Sequence, residues 1–168
     1  MTWIAPAALT IEILLLLYVA AIDIATRLIT NEICLAVAVV GIAGQFAGPT
    51  HVGESLATAS ILFLLLLFVF QRGWMGGGDV KLLVALAIGL PLLGVIHLLT
   101  VTALAGGVLA VTHLMMRRLP QPRPAPAGSS LLRRVYAVER WRNLRHAPLP
   151  YGAAIACGAI WTLLNRGI

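Results

Sequence analysis

The chain has 168 residues, of which 60% are hydrophobic and 11% charged, with a mean hydropathy of +0.96 and a formal net charge of +6. So little polar surface cannot cover a water-soluble globule, which excludes a soluble enzyme and indicates an integral membrane protein. Two cysteines, Cys34 and Cys157, lie in apolar stretches with no CxxC pair, so neither a zinc site nor a disulfide framework is expected and both read as small buried apolar residues.

Apolar runs fall at Ala5 to Ile22, Ile33 to Ala47, Leu56 to Phe70, Val80 to Leu93, Val95 to Met116 and Pro150 to Leu164. The first is preceded by no basic residue, the wrong order for a cleavable signal peptide. These runs predict an all-α membrane protein with about six spans in a single domain, 1–168. As one helix the stretch from Val80 to Met116 would be ~55 Å long against a hydrocarbon core of ~30 Å, so it must turn, and Gly89, Pro91 and Gly94 mark the place. Several runs fall short of the roughly 20 residues a span prefers, Ile33 to Ala47 with Gly41, Gly44 and Gln45 being the weakest, so a re-entrant or thinned segment is allowed for.

Placing the N-terminus outside puts every Lys and Arg except Arg166 on the inner side. The positive-inside rule therefore chooses N-out and C-out, and it makes the basic charge a topology signal. Nucleic acid is not an expected partner. The one sizeable polar segment, 117–149, is expected on the cytoplasmic side. Leu119 to Gly128 reads as an extended proline-rich linker. From Ser130 on, Leu131, Val135, Val138, Trp141 and Leu144 recur at helical spacing beside Arg133, Arg134, Arg140, Arg142 and Arg145, which predicts a basic amphipathic helix lying on anionic lipid. A docking arm for a cytoplasmic partner is the alternative.

Acids are scarce, so their places carry information. Asp23 follows the first run and Asp79 the third. Both counts are odd, so the two carboxylates emerge on one membrane face, the cytoplasmic one in this orientation. Two carboxylates brought close cannot both ionise cheaply: one keeps a proton and one stays charged, which is an acid and a base in one site. The base can take a proton from water while the acid protonates a peptide carbonyl, with neither metal nor covalent intermediate. Gly76, Gly77 and Gly78 let backbone approach Asp79 and free amides at the start of the following helix.

The segment Asp23-Ile24-Ala25-Thr26-Arg27-Leu28-Ile29-Thr30-Asn31, the GxGD sequence Gly76-Gly77-Gly78-Asp79-Val80-Lys81 and the late Leu149-Pro150-Tyr151-Gly152 together resemble the type IV prepilin peptidases, in the order that family has them. The resemblance covers essentially the whole chain. It implies a metal-free aspartic endopeptidase of the bacterial inner membrane, multi-pass and without cofactor. Such an enzyme removes short leaders from pilin precursors after a glycine at the cytoplasmic face. It further implies Asp23 and Asp79 as the catalytic pair and Gly76 and Gly78 as the fixed glycines. The cysteine-bearing cytoplasmic domain of large members is missing, so no methyl transfer is expected. The chain is similar to the small form associated with Tad-type (Flp) pili, such as TadV and CpaA proteins. Its partners would be a small pilin precursor, membrane lipid and the pilus-assembly machinery. Thr30 stands where many relatives have proline.

Glu12 precedes Asp23 by 11 residues, which at about 100° per residue returns to nearly the same helix face, so both should point into the bundle, Glu12 in a structural role. Lys81 reads as an interfacial lysine, with lowering of the Asp79 pKa or capture of a substrate acid as functional alternatives. Arg27 and Asn31, beside Asp23, would meet lipid phosphate or the site. His51, His97 and His113 are too scattered for a metal cluster. The rival from another class is a non-enzymatic transporter or secretion-machine subunit using Asp23 and Asp79 as an ion or proton relay. A presenilin-like protease shares GxGD but matches the other two segments less well.

Overall fold

The computed structural model describes residues 4–46, 51–117, 130, 137–138 and 149–165. Six helices are described: α1 (Ile4–Thr26), α2 (Asn31–Gln45), α3 (Val52–Gln71), α4 (Gly77–Ile88), α5 (Leu92–Arg117) and α6 (Tyr151–Leu164). The chain divides into two compact units, one of 1–105 with 150–168 and the other of 106–149.

In the larger unit α4 is the hub, packed against α2, α3 and α6, while α1 packs against α2 and α6. At 12 residues α4 is only ~18 Å long, too short to cross a bilayer as an isolated span. It is apolar nearly all round because it is enclosed nearly all round, and Val80, Leu82, Leu83, Ala85, Leu86 and Ala87 are all buried. Three other segments are long and apolar enough to cross a membrane: Pro6–Thr26, Val52–Gln71 and Leu92–Met116. Their outward faces carry bare leucines, with Leu14 60%, Leu64 66% and Leu104 66% exposed. Apolar surface on that scale suits lipid, and the protein is a membrane protein. Helices α2 and α6 are shorter apolar elements.

The ends of the helices are set by hydrogen bonding. Arg27 closes α1 in the left-handed region at φ 61°, its N–H donating to Asp23 O at 2.9 Å. A non-glycine residue there carries strain. Helix α3 closes with Gly73 at φ 71°, Gly73 N–H donating to Phe70 O and Trp74 N–H to Val69 O, the paired pattern of a Schellman motif. The break expected between Val80 and Met116 is the turn at Gly89, Leu90 and Pro91, with Gly94 already inside α5. Side chains from neighbouring helices finish the broken ends. Gln45 Nε2 donates to Ile88 O at the end of α4, and Glu54 Oε1 accepts the Leu92 N–H that opens α5.

Glycines permit the tightest crossings. A Cβ built on Gly89 would lie 2.8 Å from Gly41 Cα, so α2 meets the end of α4 backbone to backbone. Gly41, which weakened its run in a hydropathy reading, is thus a packing residue. One expectation needs correction: Cys34 is buried, but Cys157 is exposed, because its position on α6 faces away from the packed side formed by Ile155, Ala156 and Ala159.

In the smaller unit the main described part is the second half of α5, whose His113 is buried with Nδ1 3.0 Å from Leu109 O. The proline-rich linker and most of the basic amphipathic helix expected within 117–149 lie outside the described residues; Ala137 and Val138 are helical.

Candidate active site

Asp23 lies in the last full turn of α1 and not beyond it, and only 4% of it is exposed. Glu12, on the same helix face, is 3% exposed, so both acids do point into the bundle. Asp79 is the third residue of α4, in its first turn and ahead of the apolar run that begins at Val80. Gly76 caps the helix in extended conformation, and its backbone N–H bonds back to the Asp79 carboxylate; a Cβ on Gly76 would lie 3.2 Å from Asp79 Oδ2.

Asp23 and Asp79 lie at the same end of the bundle, near enough for the charge of one to act on the other. Burial first, and the charge of Asp23 second, push the Asp79 carboxyl up to about 6, against a smaller downward pull from the Gly76 N–H. Asp79 therefore keeps its proton to higher pH than an ordinary carboxyl and exchanges it around pH 6. That is the property a general acid needs.

A third segment, from the far end of the chain, completes the arrangement. Ala153 N–H, at the N-terminus of α6, donates to Asp23 Oδ2 at 3.1 Å. Gly152 makes this approach feasible, since a Cβ there would lie 2.9 Å from Asp23 Cγ and 2.9 Å from Ile29 Cδ1. Ile29 also reaches Gly78, whose Cβ would sit 3.1 Å from Ile29 Cβ. One isoleucine thus touches the glycines of both other motifs, a spacer between the Asp23 segment, the GxGD turn and α6. Neither Ile29 nor the Ala153 amide was picked out as a site member from the sequence. The available signal was Gly152, a glycine two residues into an apolar helix, where close approach is the usual reason for its presence.

Lys81 is exposed, and its Nζ donates to Asn31 Oδ1 at 2.9 Å. This bond ties the start of α4 to the start of α2. Lys81 is not among the groups that shift Asp79, and helix geometry gives the reason: residues two apart point to opposite sides. The alternative in which Lys81 lowers the Asp79 pKa therefore has no support, and an exposed lysine agrees with the interfacial reading. Among the described residues no three of His, Cys, Asp and Glu group as metal ligands would.

The profile of the type IV leader peptidase family matches residues 10–111, more than half of the chain and including both aspartates. The chain belongs to the type IV leader peptidase family. No curated protein and no solved structure matches the chain. Membership makes the protein a prepilin-type peptidase and removes the ground for a transporter or relay subunit as its main role. At Thr30, where the resemblance would put a proline, the backbone has φ −81° and ψ 156°, close to what proline's ring imposes. Thr30→Pro is therefore expected to preserve cleavage and to stabilise the protein by about 0.4–1 kcal/mol, through a less free unfolded chain. Thermal unfolding in detergent together with a cleavage assay checks this. A fall in either would show that the Thr30 hydroxyl, which bonds Glu32, matters more than the backbone.

Proposed function

We propose that the peptidase is an aspartic-type prepilin peptidase in which Asp23 and Asp79 are the catalytic pair, shaped by Gly76 and Gly78 and braced by Lys81 on Asn31. The observation that carries this reading is the proximity of the two acids: Asp79, half-buried and at the first turn of its helix, feels the charge of Asp23. One carboxylate and one carboxylic acid facing a peptide bond can activate water and polarise the carbonyl together. Three separate motifs converge on the pair, and glycine stands wherever a side chain would intrude.

The substrate is a small pilin precursor of the Flp type. Its apolar helix packs beside the peptidase in the bacterial inner membrane, and its scissile bond, after a glycine, is presented at the cytoplasmic edge. The basic charge on that side and the exposed apolar rim support this placement, with Leu28 70% and Trp74 72% exposed on the segments that flank the site. Lipid and the pilus-assembly machinery are the remaining partners.

Purified protein in detergent, given a precursor with a short leader, is expected to release that leader with a single cut after glycine, read by mass spectrometry. Cleavage should continue at its full rate after exhaustive chelation, because the pair supplies both proton roles. Loss of activity that zinc or another divalent ion restores would overturn the metal-free mechanism, and a product cut elsewhere would overturn the substrate assignment.

A further inference from the structure

Helix α6 opens on Pro150, which has no side chain able to accept a hydrogen bond, so its first amides need an acceptor from elsewhere. Ala153 finds one on α1: its N–H donates to Asp23 Oδ2 at 3.1 Å, with a longer contact of 3.3 Å to Pro150 O. Asp23 does here, across a separation of 130 residues, what a capping aspartate does within its own helix. An N–H aimed at a carboxylate, reinforced by the positive end of a helix, favours the charged form.

The approach is built into the backbone of both helices. Gly152 presents no Cβ to Asp23 Cγ and Oδ2, which would stand 2.9 and 3.0 Å from one, and Asp23 is almost fully enclosed. Among the described residues the charged or titratable ones at this end of the bundle are Asp79 and Lys81 on α4, Glu32 and Cys34 on α2, Tyr151 on α6, Arg27 just past α1 and Arg72 just past α3, the last lying over the Phe68 ring. Lys81 is turned onto Asn31, and Glu32 is exposed to solvent beside Thr30. Among the described residues the amide that Asp79 receives is that of Gly76 at the start of its own helix, and burial outweighs that bond; Asp23 is the more enclosed of the two, so the end of α6 has burial to offset there as well.

We propose that the N-terminus of α6 sets where the proton of the catalytic pair resides: the Ala153 N–H, admitted by Gly152, keeps Asp23 as the carboxylate that activates water and leaves the proton on Asp79. This assignment rests on the reading of Asp23 and Asp79 as the catalytic pair. In the forward step Asp23 takes a proton from water as the water oxygen bonds to the scissile carbonyl carbon, and Asp79 gives its proton to the carbonyl oxygen. Collapse of the diol breaks the C–N bond. The amine leaves with the proton held by Asp23, one diol hydroxyl returns its proton to Asp79, and the pair is restored.

Two measurements test the assignment. Ala153→Pro deletes this N–H in the first turn of α6, where proline is tolerated. The acidic limb of the kcat/KM profile is expected to move up by about one to two pH units, the size of one lost hydrogen bond to a charged group. A merely structural amide would lower the whole profile without moving that limb. In the unmodified protein, carboxyl 13C shifts of labelled aspartate, assigned with the Asp23→Asn and Asp79→Asn variants, should show Asp23 ionising at lower pH than Asp79. This second experiment decides the question even if Ala153→Pro does not fold. Ionisation of Asp79 first, or an unmoved acidic limb in well-folded Ala153→Pro, overturns the assignment while leaving the pair intact. Cleavage by either Asp→Asn variant overturns the pair itself, which is a different result.

Discussion

Asp23→Asn and Asp79→Asn are each expected to lower leader cleavage on the order of 10³-fold or more, the scale of losing a positioned acid or base together with its partner. Asparagine keeps the shape of the side chain and removes its proton chemistry, so both variants should still insert in the membrane and bind precursor. In Asp23→Asn the new amide oxygen can still accept the Ala153 N–H, which protects the start of α6. The double variant should be no worse than either single, because groups that act as a unit are not additive. Conversion of precursor to mature pilin, measured beside the amount of membrane-extracted protein, checks all three. Substantial processing by a well-expressed single variant would refute the proposed pair.

Hydropathy made the helices legible but not their ends. The first apolar run stops at Ile22, whereas α1 continues through Asp23 to Thr26, because backbone hydrogen bonds and the left-handed Arg27 end it. The same bias placed Asp79 in a break between runs, although α4 already begins at Gly77. In both cases polar residues continue a helix into the site, and an apolar count stops short of them. The acid pair was visible because acids are so few in this chain and their motifs have local signatures. Long-range contacts have none. The bond from Ala153 to Asp23, the spacer role of Ile29 and the crossing of Gly41 with Gly89 depend on which helices meet, which no window along the chain contains. The direction of Lys81 was legible in principle, since it follows from residues two apart on a helix facing opposite ways.

Two glycines on α6 separate catalysis from folding. Gly158→Ala would bring a Cβ to Thr102 Oγ1 and, at 2.8 Å and 3.1 Å, to the Thr102 N and Cα, and backbone cannot swing aside as a side chain can. Helices α5 and α6 must then move apart, at a cost of about 1–3 kcal/mol for overpacking, and Thr102→Ala should relieve only part of it because the backbone contacts remain. Gly152→Ala instead meets the ends of two side chains, Asp23 and Ile29, at 2.9 Å each. Those can yield, so the protein should stay folded, but Asp23 yields by leaving the Ala153 N–H and its place opposite Asp79. A displacement near 1 Å of a catalytic group is worth roughly 10²-fold in rate. Gly152→Ala is therefore expected to keep its thermal midpoint within a few degrees while losing about 10²-fold in kcat, and Gly158→Ala to lose stability while the folded fraction cleaves at close to the normal rate. Thermal unfolding in detergent and cleavage per folded molecule separate the two. If the alanine at 152 cost stability and spared turnover, the contact between α6 and Asp23 would be packing alone.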